Sequence, residues 1–308
     1  MLKKILGLCL LILGLLFCVL ITPDKTIEEL TTKYSNEVSQ FVEIEGMNVH
    51  YRIEGNGFPL LLLHGTGSSL HTWDEWMELL MDSFQIVRLD LPAYGLTGPF
   101  INGDYSHGHY LSFLDEFVKE VGIDSFHIAG NSFGGGLAFS YAGEHSDKVA
   151  KIILIDPAGI DNDSEPPAVF TLAQNPFLSQ ILKAVTPKSF IRKNLEEVYA
   201  DDSKISDDLI TRYHDFAIRK GNRQAFIDRV NQPRESIQHY LSSLEEPTLI
   251  QWGEEDKWTP FKNAEIMHDL IPNSKLISYP NVGHLPMEET PDQSAKDAML
   301  FLLEESFQ

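Results

Sequence analysis

Cysteine is almost missing from this chain: Cys9 and Cys18 are the only two among 308 residues, and both lie in the amino-terminal apolar run. The remainder therefore has neither a disulfide framework nor a thiolate metal site. Positive charge is scarce as well, 24 Lys and Arg against 45 Asp and Glu, for a formal net charge of -21. A field of that sign repels phosphates, which excludes nucleic acid as a partner and disfavours anionic headgroups. Internal repeats are missing, and so is low-complexity sequence beyond the amino-terminal run. The whole chain is 43 % hydrophobic and 22 % charged, enough apolar surface to build a sizeable core rather than a disordered chain.

The first 24 residues, MLKKILGLCLLILGLLFCVLITPD, carry Lys3 and Lys4 and then no charge from Ile5 to Pro23. A bilayer core needs roughly 20 apolar residues, whereas a secretory signal has a shorter apolar region and a small-residue cleavage site. No A-x-A site follows, and bulky Leu16 and Phe17 precede Cys18 where a lipoprotein site needs small residues. Residues 1–23 read as an uncleaved transmembrane signal anchor, with a cleaved signal peptide as the second reading. Lysines before the run and Asp24, Glu28 and Glu29 after it place the body on the outer face, periplasmic or extracellular. Residues 24–40 are polar, with Thr26 and Glu29 at capping-box spacing, and read as a short juxtamembrane helix or linker.

From Phe41 the pattern alternates, FVEIEG then MNVHYRIEG, which predicts a hairpin. FPLLLLHG, FQIVRLD, SFHIAG, KIILID, PTLIQWG and KLISYP follow as short, continuously apolar runs, most of them separated by helix-length segments. Strands buried on both faces have this character. The alternation predicts an α/β fold with a mostly parallel twisted sheet flanked by helices. One gap, Pro157 to Glu246, is too long for a loop and has helical patterning in FLSQILKAV, DDLITRYHDFAIRK and RQAFIDRV. The expected division is a core of 41–160 and 241–308 with a helical cap at 161–240.

AGNSFGGG, residues 129–136, lies where a strand should become a helix. Neither G-x-G-x-x-G nor a terminal G-K-[ST] is present there, so it is no phosphate loop. Gly130 to Gly134 instead fit G-x-S-x-G, in which strand and helix pass so closely that glycines must flank a strained, exposed Ser132. A purely structural turn is the competing reading. Gly135 and Gly136 are not demanded by that pattern and are expected to let the helix pack closely on the sheet. A serine hydroxyl needs an adjacent base, held in its tautomer by an acid. Downstream, GEEDKWTP offers Asp256 and PNVGHLPMEE offers His284, each just past a predicted strand. Glu254, Glu255 and, more distantly, Asp156 are rivals to Asp256. Two backbone amides could hold an oxyanion: Phe133, after the serine, and Thr66 in the loop after His64, with Gly67 as the alternative to Thr66. His64 itself is expected to pack and hydrogen-bond within its loop. His107 and His109 have no further ligands near them in sequence, and no metal site or cofactor is expected.

Taken together, the elbow, LLLHGTG, RLDLPAYGLTGP, WGEEDKWTP and NVGHLPMEE resemble the α/β-hydrolase superfamily from residue 40 to the carboxyl terminus. The resemblance implies a Ser132-His284-Asp256 triad, with Asp256 at the acid position of W-G-x-x-D-x-x-x-P, and a helical cap between two core strands. Ala93 departs from it, since relatives usually carry glycine there. A serine nucleophile sets aside the halide- and epoxide-cleaving branches, which use aspartate. HGTGSSLHTW and DLPAYGLTGP are similar to membrane-anchored bacterial esterases and lipases, which implies hydrolysis of a small-molecule ester with an apolar acyl group. GNSFGGG is similar to the elbow of carbon-carbon hydrolases of ring-fission products, the rival reading. The cap stretch PAVFTLAQNPFLSQILKAV has enough Phe, Leu, Ile and Val to line an acyl pocket. Some proteins of this fold keep a triad yet act as receptors or signalling partners, which is the alternative of another class.

Overall fold

A computed structural model describes residues 20–161 and 165–304. The anchor expected at 1–23 lies, apart from its last four residues, outside them. Among the described residues no helix is long and apolar enough to cross a membrane.

Eight strands form one sheet: β1 Ser39–Ile44, β2 Met47–Glu54, β3 Phe58–Leu63, β4 Phe84–Leu89, β5 Phe126–Asn131, β6 Val149–Ile155, β7 Thr248–Gly253 and β8 Ser274–Tyr279. Their order is β1-β2-β4-β3-β5-β6-β7-β8. The predicted hairpin is β1-β2, turned by Glu45 and Gly46, both with positive φ, as a two-residue turn matched to strand twist requires. From β4 onward every pairing is parallel. After β4 the chain returns to pair β5 on the other side of β3, so the sheet's topological switch lies between β3 and β5, where α/β sheets bind their ligands.

The apolar runs follow from two-sided burial. Along β3, Leu61 and Leu63 face a core with Phe113, Phe117 and Phe139, while Leu60 and Leu62 face one with Trp73, Trp76 and Phe301. Each such leucine, fully removed from water, contributes ~1.5–3 kcal/mol. The residues 24–40 include helix α1, Ile27–Tyr34, whose start is closed by the Thr26–Glu29 capping box. The helices α2 Asp74–Leu80, α3 His107–Glu120 and α4 Phe133–Glu144 follow in chain order on the two faces of the sheet.

Between β6 and β7 the described chain has five α-helices: α5 Ala168–Gln174, α6 Leu178–Ala184, α7 Lys188–Val198, α8 Asp207–Ala217 and α9 Asn222–Val230. The sequence patterning marks α6, α8 and α9; α7, which follows Pro187 with Ile191, Leu195 and Val198 on its buried face, was not among them. Helix α1 is fastened to this cap. Asp215 of α8 accepts from Lys25 at 2.7 Å, Lys33 at 2.8 Å and the Tyr34 hydroxyl at 2.9 Å. Burial alone would raise the Asp215 carboxyl, but these donors outweigh it and hold it below the usual carboxylate range. The core closes with α10 Lys262–Leu270, the short α11 Pro286–Glu289 and α12 Pro291–Leu303.

Candidate active site

Ser132, at the end of β5, has φ 53° and ψ -117°, a conformation that costs about 1–3 kcal/mol for a non-glycine residue. Its surroundings fix it there. Its N–H donates to the Ile155 carbonyl at 3.0 Å, and its carbonyl accepts from Gly136 at 3.0 Å and Ala158 at 2.9 Å. A Cβ on Gly130 would come within 2.2 Å of the Gly134 carbonyl oxygen, and one on Gly134 within 2.3 Å of that of Leu63, so both flanking glycines are steric necessities. Of the last two glycines, Gly135 serves the close approach to the sheet that was expected, and both serve a further neighbour. A Cβ on Gly135 would meet Pro157 at 2.7 Å as well as the Gly130 carbonyl at 2.9 Å, and one on Gly136 would meet Ala158 at 3.1 Å. They make room chiefly for the loop leaving β6.

Asp256 and His284 follow β7 and β8 and are brought together. His284 Nδ1 lies 2.6 Å from Asp256 Oδ2. The other carboxylate oxygen accepts from the Trp258 and Thr259 amides at 2.7 and 3.0 Å, and the Thr259 hydroxyl donates to Oδ2. Burial pushes the Asp256 carboxyl up, but the His284 ring and the Thr259 donors outweigh it and keep it below the usual range. The rivals Glu254 and Glu255 are exposed, and Glu254 accepts from Ser278. With its Nδ1 proton held by Asp256, His284 presents the Nε2 lone pair. That nitrogen is buried without a partner, and His284 and Ser132 line the same cavity.

His64 does what its loop position suggested. Its Nε2 accepts from the Leu91 N–H at 2.9 Å and its Nδ1 donates to the Gly65 carbonyl at 2.8 Å, leaving no nitrogen for proton transfer. Among the described residues, the amides of Phe133, Thr66 and Gly67 donate to no protein acceptor, as an oxyanion site requires. Asp156, Asp256 and His284 are the described group whose donor atoms lie close enough for a metal ion, but the hydrogen bonds above already occupy Asp256 and His284 Nδ1. His109 pairs with Glu45 at 3.0 Å.

Three side chains in the site have no assigned part in the sequence reading. Asn131 donates to the carbonyls of Ile155 at 3.1 Å and His284 at 3.0 Å, tying the elbow to the histidine loop. Thr259 touches both Asp256 and, at 3.2 Å, His284 Nδ1. Arg229 of α9 donates to Thr66 Oγ1 at 2.8 Å and lies 4.4 Å over the Phe133 ring. Asn131 and Thr259 stand inside the motifs quoted above, whereas Arg229 arrives from the cap and leaves no local signal.

The cavity above Ser132 has a volume of about 150 Å³ and is walled by cap residues Val169, Leu182, Phe190, Leu195 and Phe226 together with Trp258. Part of the predicted acyl-lining stretch thus faces inward. The other part does not: Phe177, Leu178 and Ile181 are exposed.

Comparison with known proteins agrees with this geometry. Residues 59–186 match a family model described as alpha/beta hydrolase fold. The chain is 26 % identical over 293 residues to Lipase 3 of Moraxella sp. (strain TA144), covering 91 % of this chain and 89 % of that protein. It is 26 % identical over 279 residues to the 2-hydroxy-6-oxo-6-(2'-aminophenyl)hexa-2,4-dienoic acid hydrolase of Metapseudomonas resinovorans, covering 86 % of this chain and 91 % of that enzyme. Among solved structures, a membrane phospholipase A superimposes with a TM-score of 0.75 at 25 % identity, covering 98 % of each chain. With the elbow, the switch-point sheet and the inserted cap, these likenesses show an α/β-hydrolase fold and support a hydrolase.

Proposed function

We propose that the protein hydrolyses carboxylic esters through an acyl-enzyme on Ser132. His284 Nε2 removes the Ser132 proton as the hydroxyl oxygen attacks the ester carbonyl, and the proton then passes to the departing alcohol. The Phe133 amide, with Thr66 or Gly67 opposite, receives the negative charge on the carbonyl oxygen. Asp256 holds the imidazole in its tautomer and stabilises its charged form. Water, deprotonated by the same nitrogen, then releases the acid.

The observation carrying this reading is the wall of the cavity. Arg223 is the one Lys, Arg, Asp or Glu in it among the described residues, and its guanidinium is already bound to Asp24 at 2.5 Å and to the Thr22 carbonyl at 2.9 Å. Such a wall suits an apolar acyl chain and offers an ionised substrate little. One observation favours carbon-carbon cleavage instead. Arg229 bonds Thr66 and lies over the Phe133 ring, with its Nε unpaired among the described residues, and a dienoic acid would bring a carboxylate to it.

For localisation we propose the outward-facing, membrane-anchored arrangement. Leu20 and Ile21, where the apolar run ends, are exposed, and Thr22 bonds the Ala184 carbonyl of α6 at 2.8 Å, beside exposed Phe177, Leu178 and Ile181. The membrane phospholipase A likeness supports it. Protease access to intact cells tests it, and protection of the body contradicts it.

Turnover of p-nitrophenyl esters by the full chain, with Ser132→Ala as control, tests the reaction. Turnover abolished by the substitution supports it. Cleavage of ring-fission dienoates with none of esters selects the second reading, and failure of both, with no fluorophosphonate labelling, sinks hydrolysis and leaves a receptor.

A further inference from the structure

A second carboxyl group stands behind His284. Asp156, at the end of β6, is wholly buried, and one of its oxygens, one of Asp256 and a ring nitrogen of His284 all lie within 4.8 Å of one another. Its backbone has φ 42°, a conformation that costs about 1–3 kcal/mol outside glycine and persists only when the surroundings hold it. Asp156 Oδ1 accepts from the Gly253 N–H at 2.9 Å. Oδ2 is buried without a donor. A naked ionised oxygen is costly there, and a proton removes the cost. Two carboxylates this close cannot both ionise readily, so one proton belongs to the pair. Asp256, with His284 and three Thr259 and Trp258 donors on it, is the ionised member. Asp156 is the neutral one, its carboxyl pushed well up by burial and then by the Asp256 charge.

We propose that Asp156 is a standby acid for the triad: a protonated positioning residue that gives up its proton and takes over the support of His284 Nδ1–H when Asp256 cannot supply it. This rests on the triad reading above. In the resting pair Asp256 holds the imidazole. When Asp256 is made neutral, the second of the two causes holding the proton on Asp156 is removed while burial remains, so Asp156 ionises at lower pH than before, and a turn of either side chain brings its oxygen onto the histidine. The other ionisable groups near it are Glu289 and Tyr279, both of which stay in place in the test.

The test is a double-mutant cycle on ester turnover by the full chain, using isosteric Asp256→Asn and Asp156→Asn so that the buried volume is kept. A histidine with no carboxylate loses roughly 10⁴-fold in kcat. With the standby acid, Asp256→Asn should lose only about 10²-fold, and its residual rate should climb with pH as Asp156 ionises. Adding Asp156→Asn should remove both the residual rate and the climb, although the same change beside intact Asp256 lowers kcat no more than about threefold, a strong non-additivity. Two results overturn the assignment: an Asp156→Asn penalty equal in both backgrounds, which marks a structural role, or an Asp256→Asn variant already as slow as the double. Unchanged turnover in Ser132→Ala is a different failure, that of the triad itself.

Discussion

The main-chain N–H of His284 donates to the carbonyl of Val198, 2.7 Å away at the end of α7. The loop carrying the candidate base is therefore bonded directly to the cap. Glu289 clamps the same junction from the other side: Oε1 accepts from the Gly283 amide at 2.7 Å and Oε2 from the Ala200 and Asp201 amides at 2.9 and 3.3 Å. At this edge the cap is part of the frame that sets the histidine.

Glu289→Gln turns an NH₂ group toward amides that need an acceptor. Hydrogen bonds to a charged group contribute about 1.5–3 kcal/mol each, so the unfolding midpoint should drop by several degrees, and kcat should fall about tenfold with a smaller change in KM. Thermal unfolding and ester kinetics check this; wild-type values for both contradict the clamp.

Ala93 carries φ 82°, which explains why glycine suits that turn. Ala93→Gly should relieve strain of about 1–3 kcal/mol against a cost of up to about 1 kcal/mol from the freer unfolded chain. A net gain of ~1 kcal/mol is expected in denaturant melts, and a loss would show that the Ala93 methyl packs better than its backbone strains.

The apolar cavity over Ser132 is open on one side, and its volume of about 150 Å³ holds a guest about the size of benzene. Acyl chains of roughly four to six carbons should therefore give the highest kcat/KM across a p-nitrophenyl ester series, and Leu182→Ala should move the optimum to longer chains. An optimum at long chains in the wild type contradicts an acyl site limited to that volume.

His127 is packed against the rings of Phe58 and Phe84 at 4.6 and 6.1 Å. Burial, with a smaller contribution from Lys151, lowers it from 6.5 to about 4. Between those values the unfolded chain binds a proton that the folded chain does not, so stability present at neutral pH is lost as pH falls from 6.5 toward 4, by ~3 kcal/mol from this residue. His71 and His107, also lowered to about 4 by burial, act in the same direction. His127→Gln should make the unfolding midpoint less steep in pH over that window, and an unchanged slope assigns the acid sensitivity elsewhere.

Much of this was legible because burial on both faces forces continuous apolar strands, and because a strained serine turn needs glycine at fixed offsets. The β3-to-β8 strands, the hairpin and the capping box trace to such local rules, whereas Asp256 stood out from Glu254 and Glu255 only through the family resemblance. What was not legible acts between distant segments. Glu289 is one of two adjacent glutamates, and only the fold shows that Glu288 meets Thr72, Tyr199 and Tyr213 while Glu289 meets the cap backbone. Arg229 reaches Thr66 across 163 positions. Helix α7 begins after Pro187 and carries charge among its apolar positions, so its period is diluted. Within PAVFTLAQNPFLSQILKAV the composition could not say that Leu182 faces the cavity while Phe177 faces out.

The central claim, a nucleophilic Ser132 served by His284, is tested most directly by mass spectrometry of the full chain quenched during turnover of a p-nitrophenyl ester. One acyl mass on the peptide containing Ser132, absent in Ser132→Ala and not formed in His284→Ala, is the predicted result. Turnover with the acyl group on another residue, or undiminished in Ser132→Ala, would contradict it.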